Sequence, residues 1–311
     1  MAEAARGLGL ILNGNAAGDP DLRSAVGDLR AAGTPVHVRV TWEDGDAARQ
    51  ADELIALGVR TLVACGGDGT LGAVAAALAA RDADAAALPA LAAIPLGTAN
   101  DFATAAGIPS APAEALALCA RPPQPIDLLR IDADGARRWC LNLATGGFGA
   151  QATQAAGSGL KSALGGTAYL LRGLMSLGNL QHERARFTAD GFAWTGDFIA
   201  VGIGNGRLAG GGQPLCPDAC IDDGLLELTL VPPLEGELGA TLGKLLAEGR
   251  EAALEQAALR RRLAAVRIEA DTPLTLNLDG EPCEARCFEI ACVPRRLRMH
   301  LPDGCPLLAS S

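Results

Sequence analysis

The chain has 311 residues, of which 49% are hydrophobic, 20% charged and 3% aromatic, and its formal net charge is −10. This composition excludes disordered and collagen-like chains and predicts a globular protein of two domains, at about 100–200 residues per domain. The acidic surplus repels polyanions, and no apolar stretch reaches the ~20 residues of a membrane-spanning helix, so we expect neither a nucleic-acid partner nor a transmembrane segment.

The first half of the chain alternates predicted strands and helices. Strands are predicted over Leu8–Leu12, Val36–Val40, Thr61–Cys65 and Ala90–Ile94, and helices from Asp19-Pro20 to Gly33, over Asp46–Leu57 and over Leu71–Ala80. This alternation predicts a doubly wound, mostly parallel sheet that binds ligands at the carboxyl ends of its strands.

The pattern changes after the proline-rich stretch Arg121–Pro125. Short alternating runs follow, and they are separated by Asp-Gly pairs typical of hairpins, which begin at Asp134, Asp190, Asp223 and Asp279. Helical segments are predicted only at Lys161–Ser176 and Leu238–Arg262. We therefore predict an α/β domain over residues 1–129 and an antiparallel β-sandwich-like domain over 130–311, whose last residues are candidates for a return to the first domain.

Cysteine usage and the amino-terminal segment bear on the compartment. The nine cysteines lack both a disulfide framework and zinc-site spacing, which favours reduced thiols. The first apolar segment is too short for the apolar region of a signal peptide. We expect a cytoplasmic protein.

Two loops at predicted strand ends carry the chemistry. In the first, Gly66-Gly67-Asp68-Gly69-Thr70, glycines let main-chain N–H groups approach phosphate oxygens at the start of a helix. It is neither a Walker P-loop nor G-x-G-x-x-G, and the alternative is an ordinary tight turn. In the second, Thr98 can donate a hydrogen bond to phosphate, but from the residues alone Asn100 and Asp101 are better interpreted as helix caps.

Together these loops resemble a known family. Gly66–Thr70 followed by Pro95-Leu96-Gly97-Thr98-Ala99-Asn100-Asp101 is similar to the diacylglycerol kinase catalytic domain, and most of all to the bacterial YegS-type lipid kinases. The likeness covers nearly the whole chain and continues through these segments: Val38–Glu43, Ala144–Gly149, Gly202–Gly212, Asp222–Leu226 and Asn277–Pro282. It implies transfer of the γ-phosphate of ATP, with Mg²⁺, to the hydroxyl of a diacylglycerol- or phosphatidylglycerol-like lipid at a membrane surface.

The resemblance also implies site residues in a cleft between the domains. The nucleotide contacts would come from these residues: Thr41, Gly66, Gly67, Asp68, Gly69, Thr70, Thr98 and Asp101. Glu281 would accept the hydroxyl proton, and Mg²⁺ would be held by the Asp223 carboxylate and the main-chain oxygens of Cys220 and Leu225. Without the resemblance, Glu281 and Asp223 are interpreted as solvated turn acids, and Asp68 and Asp101 as loop-bracing or capping residues.

Other positions carry weaker expectations. Phosphate contacts are hypotheses for Lys161, Arg172 and Arg207, and the arginines of Arg260–Arg262 and Arg295–Arg298 are candidates for transient membrane contact. Many relatives have Asn-Glu where this chain has Gly72-Ala73, which we expect to remove two polar contacts, and Asn15 stands where relatives often have lysine or serine. The alternatives are an NAD kinase, which shares the GGDGT motif, and a catalytically silent nucleotide- or lipid-binding regulator.

Overall fold

The computed structural model describes residues 7–147, 182–233 and 258–309. Fourteen of the sixteen described strands form a continuous sheet that runs through an α/β part and an antiparallel part, so the predicted fold class is confirmed. In the described residues no helix combines the length and apolarity needed to span a bilayer.

The α/β part is built on four parallel strands in the order β4-β3-β1-β2. They are β1 (Leu8–Asn13), β2 (Val36–Thr41), β3 (Thr61–Gly66) and β4 (Ala90–Pro95). The first, third and fourth strands are almost completely buried, as expected for strands covered by helices on both faces. Their carboxyl ends therefore meet at one edge of the sheet.

Five α-helices follow these strands in the described residues, and the periodicity predicts the positions of the first three. They are α1 (Pro20–Ala31), α2 (Asp46–Ala56), α3 (Asp68–Ala79), α4 (Asp101–Ala105) and α5 (Pro112–Ala117). The Asp19 side chain accepts a hydrogen bond from the Leu22 N–H at 2.7 Å and so caps α1, with proline at its first position. The predicted start of α3 at Leu71 is wrong by three residues, because Asp68 in the first turn is favoured by the helix dipole.

The remaining described strands are mainly antiparallel. They are β5 (Gln124–Ala133), β6 (Ala136–Cys140), β7 (Leu143–Gly147), β8 (Glu183–Ala189), β9 (Phe192–Phe198), β10 (Ala200–Gly204), β11 (Leu208–Ala209), β12 (Gln213–Pro214), β13 (Leu226–Val231), β14 (Leu259–Leu263), β15 (Ala265–Leu278) and β16 (Glu281–Met299). Strand β16 pairs with β15 and β5 and then meets β4 in parallel at Leu91, which joins the two parts of the sheet.

Two apolar cores lie along this sheet, and β5 and β16 each run from one core into the other. In β5, Leu128 belongs to the first core and Leu129 to the second. In β16, Cys292 packs in the second core, whereas Leu297 and the segment after the strand pack in the first. Residues near the carboxyl terminus thus complete the core of the α/β part.

Three of the four predicted hairpins are confirmed. The turns at Asp134 and Asp279 place both central residues at positive φ, as a type I′ turn requires, and Asp190-Gly191 joins β8 to β9. The hairpin predicted at Asp223 is wrong: this residue lies in a loop before β13, and its carboxylate accepts a hydrogen bond from the Leu225 N–H at 2.8 Å.

One predicted helix is also partly wrong. The end of the predicted helix over Leu238–Arg262 is extended, because residues 259–263 pair with the buried strand β13 and satisfy its main-chain groups. The rest of that segment, and the predicted helix over Lys161–Ser176, lie outside the described residues.

Candidate active site at the carboxyl ends of the parallel strands

The two glycine-rich loops are in direct contact at the ends of β3 and β4. A Cβ atom on Gly97 would lie 2.3 Å from the Cα of Gly67, so this approach requires glycine. The cavity left between the loops has a volume of about 10 Å³. Since that is room for one water, a phosphate must bind over the loops rather than between them.

The start of α3 is suited to an anion. Gly67 occupies the N-cap and has no side chain to satisfy the first N–H groups of the helix. Thr70, in the first turn, lies close to Gly66. A Cβ atom on Gly66 would be only 2.4 Å from the Thr70 Oγ1. The amides and hydroxyl of this turn therefore form a compact donor surface at the positive end of a helix.

Two residues at neighbouring strand ends extend this surface toward the sheet edge. The Asn13 Nδ2 donates to the Thr70 Oγ1 at 3.5 Å, and the Thr41 Oγ1 donates to the Leu12 carbonyl at 3.2 Å. Trp42 follows Thr41 and is 87% exposed, which is unusual for a large aromatic residue. Thr98, on the second loop, is also exposed.

Asp68 and Asp101 hold the loops in place. The Asp68 carboxylate accepts hydrogen bonds from the Asp101 and Phe102 N–H groups, both at 2.9 Å, and so caps α4. The Asp101 carboxylate accepts from Gly211 N–H at 3.0 Å and Gly212 N–H at 2.6 Å. Burial raises the pKa of Asp101, and the negative charge of the nearby Asp68 raises it further, although the two hydrogen bonds act to lower it. These hydrogen bonds correspond to the loop-bracing and helix-capping roles that the sequence offered as alternatives for Asp68 and Asp101.

A hairpin from the antiparallel part lies against the first turn of α3. A Cβ on Gly69 would be 3.7 Å from the Asp279 carbonyl oxygen, which places the turn between β15 and β16 beside the Gly66–Thr70 loop. Glu281 is the first residue of β16 and is exposed. Glu281 therefore lies two residues after Asp279, whose carbonyl oxygen is next to the predicted phosphate loop.

Asp279 anchors this hairpin. Its carboxylate accepts hydrogen bonds from the N–H groups of Leu141 at 2.6 Å, Asn142 at 2.9 Å and Leu143 at 3.1 Å, and from the Cys140 thiol at 3.2 Å. Burial raises the pKa of Asp279, although the three amides favour its charged form. The turn that carries Glu281 is thereby fixed to the connection between β6 and β7.

Gly72 makes room for this anchor. A Cβ on Gly72 would lie 2.7 Å from the Asp279 Cβ and 2.9 Å from its Oδ2. The absence of a side chain at Gly72 thus lets the hairpin that carries Glu281 pack directly on α3. The local sequence could not indicate this, because the partner is more than 200 residues away.

The predicted metal residues do not fit a bound cation in their present arrangement. One Asp223 oxygen accepts the Leu225 N–H, and the other pairs with the Arg262 guanidinium. Cys220 receives a long hydrogen bond from Arg207 at 3.7 Å. A guanidinium already neutralises the only carboxylate of the set, and within residues 7–147, 182–233 and 258–309 no three His, Cys, Asp or Glu side chains cluster as metal ligands.

Other arginines named from the sequence are engaged inside the protein. The Arg207 Nε donates to the Ala219 carbonyl at 2.7 Å, so it braces a loop rather than facing the phosphate loops. Arg296 donates to the carbonyl of Ala79, at the end of α3, and to that of Ala83 in the following loop. The hypotheses for Lys161 and Arg172 concern residues outside the described part of the chain.

Sequence reasoning gave no role to three residues of this region. Asp279 was predicted only as part of a turn, and the catalytic role was given to Glu281 nearby. Trp42 directly follows Thr41, which alone was given a nucleotide contact. Buried Asn205 donates from Nδ2 to the carbonyls of Asp127 at 2.9 Å and Leu141 at 2.8 Å, which ties the two parts together behind the site. A polar residue inside a glycine-rich apolar run is the signal that could have identified Asn205.

Two family models match the chain. The diacylglycerol kinase catalytic domain matches residues 8–131. The YegS C-terminal NAD kinase beta sandwich-like domain matches residues 143–301. The boundary between the matches falls near the strand in which the two cores meet.

Similar proteins and structures agree with these matches. A probable lipid kinase YegS-like of Stenotrophomonas maltophilia is 61% identical over 96% of this chain and 97% of its own. One of Pseudomonas aeruginosa is 49% identical over 96% and 95%. The crystal structure of a putative diacylglycerol kinase from Bacillus anthracis has a TM-score of 0.78 at 26% identity, covering 96% of each chain. An NAD kinase from Archaeoglobus fulgidus in complex with ATP, 11% identical with a TM-score of 0.52, shares the fold alone.

Proposed function

Since the chain belongs to the diacylglycerol kinase catalytic-domain family, we propose that it is a lipid kinase that transfers the γ-phosphate of ATP, with Mg²⁺, to a lipid hydroxyl. The observation that carries the proposal is the contact between the hairpin ending in Glu281 and the first turn of α3. This contact brings an accessible carboxylate beside a loop suited to phosphate, which are the two functions a kinase must join.

The donor surface at the start of α3 binds the phosphates. The glycine amides and Thr70 hold the phosphate oxygens, and Thr98 on the adjoining loop donates to the same group. Mg²⁺ bound to the ATP phosphates would neutralise part of their charge. Because Asp68 and Asp101 are saturated by main-chain amides, their task is to keep both loops in register for the transfer.

Glu281 accepts the proton of the lipid hydroxyl. The hydroxyl oxygen then attacks the γ-phosphorus as the bond to the leaving ADP breaks, giving a phosphorylated lipid and ADP. Three amides on Asp279 fix the hairpin, so the carboxylate of Glu281 is held in a narrow range of positions before the substrate arrives.

The strand order gives the nucleotide a direction. Strand β2 is two strand spacings from β3, about 10 Å, on the far side of β1. With the phosphates at β3, the sugar passes Thr41 and the adenine lies toward Trp42. An exposed indole is a suitable surface on which a purine can stack.

The lipid is a diacylglycerol- or phosphatidylglycerol-like alcohol that the enzyme reaches from the cytoplasmic surface of a membrane. Nine free cysteines support a reducing compartment. The net charge of −10 supports weak, transient contact with an anionic surface. Arg262 and Arg296 are bound to groups of the protein itself, which supports a membrane contact made elsewhere on the molecule.

The proposal is tested by phosphate transfer. Purified protein is incubated with radiolabelled ATP and Mg²⁺ and with a panel of detergent-dispersed lipids plus NAD, beside Glu281→Gln and a matched control, Glu284→Gln, which also changes an exposed glutamate of β16. We expect label in a lipid with wild type and Glu284→Gln, and a loss of at least about 100-fold with Glu281→Gln. Label in NAD would assign the chain to that substrate instead, and ATP binding without transfer would indicate a silent regulator.

A further inference from the structure

A second cavity lies at the opposite edge of the parallel sheet. It has a volume of about 740 Å³ and opens at the amino ends of β3 and β4, where Thr61 and Ala90 line it. Six-residue strands separate it from the phosphate loops by about 17–20 Å. Its size falls in the range of small-molecule sites, and the proposed kinase reaction does not use it.

The lining of this cavity is basic, in a chain with a net charge of −10. Arg60, Arg121 and Arg298 come from three different segments and converge on it. Arg121 pairs with Asp303 at 2.5 Å. Among the described residues no carboxylate pairs with Arg60, which is exposed. Three guanidinium groups therefore face one carboxylate, a local excess of positive charge that an anion would relieve.

The His300 side chain joins two walls of this cavity. Its Nδ1 lies 2.8 Å from the Arg121 carbonyl and its Nε2 lies 3.1 Å from the Thr61 Oγ1, so Nδ1 carries the proton and Nε2 accepts from the hydroxyl. Burial lowers the pKa of His300, and Arg60 and Arg298 lower it further. The neutral ring thus fixes the segment of Arg121 to β3, and it leaves the anion contacts to the arginines.

Arg298 contributes charge and shape. Its guanidinium donates to the carbonyls of Ala85 at 3.0 Å and Leu88 at 2.8 Å, which holds the loop before β4 as one wall. The other walls include apolar side chains such as Ile55 and Val59. We propose that this cavity is a binding site for a phosphate-bearing ligand, a free organic phosphate or a lipid headgroup, whose phosphate is held by Arg60 and Arg121. Arginine suits phosphate because its planar donors contact two oxygens at once.

The test compares two single charge removals. Arg60→Gln removes a proposed contact, and Arg23→Gln removes the charge of an exposed arginine on α1 as the matched control. Pyrophosphate is titrated into each protein by calorimetry, and because both variants keep the phosphate loops unchanged, a difference between them reports on this cavity alone. Flotation with phosphatidylcholine vesicles, with and without phosphatidic acid, tests the lipid source. Arg121→Gln and a urea unfolding midpoint for each variant guard against loss of the fold.

We expect Arg60→Gln to weaken pyrophosphate binding or phosphatidic-acid-dependent flotation about ten-fold, with Arg23→Gln unchanged. An effect on pyrophosphate alone assigns a free phosphate, and an effect on flotation assigns a lipid headgroup. Equal behaviour of Arg60→Gln, Arg121→Gln and Arg23→Gln in both measurements would overturn the proposal. Neither measurement requires turnover, so a chain without kinase activity would still give an answer.

Discussion

Replacing Gly72 with alanine tests whether the hairpin that carries Glu281 is seated on α3. The added Cβ would lie 2.7 Å from the Asp279 Cβ, whereas carbon atoms in contact prefer about 3.5–4.0 Å, so the hairpin must retreat by about 1 Å. Asp279 cannot rotate away without losing its hydrogen bonds to the amides of residues 141–143. The strain therefore falls on the position of Glu281.

The magnitude follows from two opposing terms. Alanine stabilises a helix interior by about 1 kcal/mol relative to glycine, and overpacking costs about 1–3 kcal/mol. We expect Gly72→Ala to lower the free energy of unfolding by about 1 kcal/mol. The same substitution at Gly27, in α1, meets no atom within 4 Å and should raise it by about 0.5–1 kcal/mol.

The assay pairs urea unfolding with phosphate transfer to the lipid substrate. A displacement of about 1 Å in a catalytic group can cost about 100-fold in rate, so kcat should fall by one to two orders of magnitude in Gly72→Ala and stay at the wild-type value in Gly27→Ala. If Gly72→Ala is as stable as Gly27→Ala and keeps its kcat, the close packing of α3 on the hairpin is not what positions Glu281.

Three further predictions concern the nucleotide, the metal and pH. Trp42→Ala should raise the KM for ATP about ten-fold and leave the affinity for inorganic triphosphate unchanged, because only the adenine base loses its stacking surface. An equal loss of affinity for ATP and for inorganic triphosphate would contradict this. EDTA should leave the Tm of the ATP-free protein unchanged, because Arg262 neutralises Asp223 and no cation is needed there. In Arg262→Gln, by contrast, added Mg²⁺ should raise the Tm. If EDTA lowers the wild-type Tm by more than about 3 °C, this assignment of Asp223 is wrong. Because the pKa of His300 is lowered, its contribution to stability is present above pH 6.5 and is lost as the pH falls through the lowered pKa, by at most about 1.4 kcal/mol per pH unit. The urea midpoint of the wild type should therefore fall between pH 7.5 and 5.5 more steeply than that of His300→Gln. Parallel plots of midpoint against pH for the two proteins would refute this.

Much of the α/β part follows from the sequence because its signals are local. Buried strands such as β3 are short apolar runs, and α1 carries its own cap and first-turn proline. The glycine loops are also local, since each lies at the end of one strand. Their strand-end positions are therefore predictable without knowledge of the other half of the chain.

The site itself depends on contacts that are distant in sequence. Asp279 binds amides near residue 142, Asp101 binds Gly212, and Arg262 binds Asp223. An Asp-Gly pair predicts a turn at Asp223 and at Asp279, but it does not report which amide or guanidinium the carboxylate meets. For this reason the hairpin at Asp279 was predicted correctly, the one at Asp223 was wrong, and the anchoring role of Asp279 was missed.

The packing of carboxyl-terminal residues into the first core has a consequence for synthesis on the ribosome. Leu297, Met299 and Leu307 are buried in the same core as Leu10 and Leu62, although more than 200 residues separate them along the chain. The α/β part cannot close its core when residue 129 emerges, and it must wait until translation has passed residue 307. During that interval its exposed apolar surface is a substrate for chaperones, and a chain truncated before Leu297 should fail at the nucleotide loops rather than only at its end.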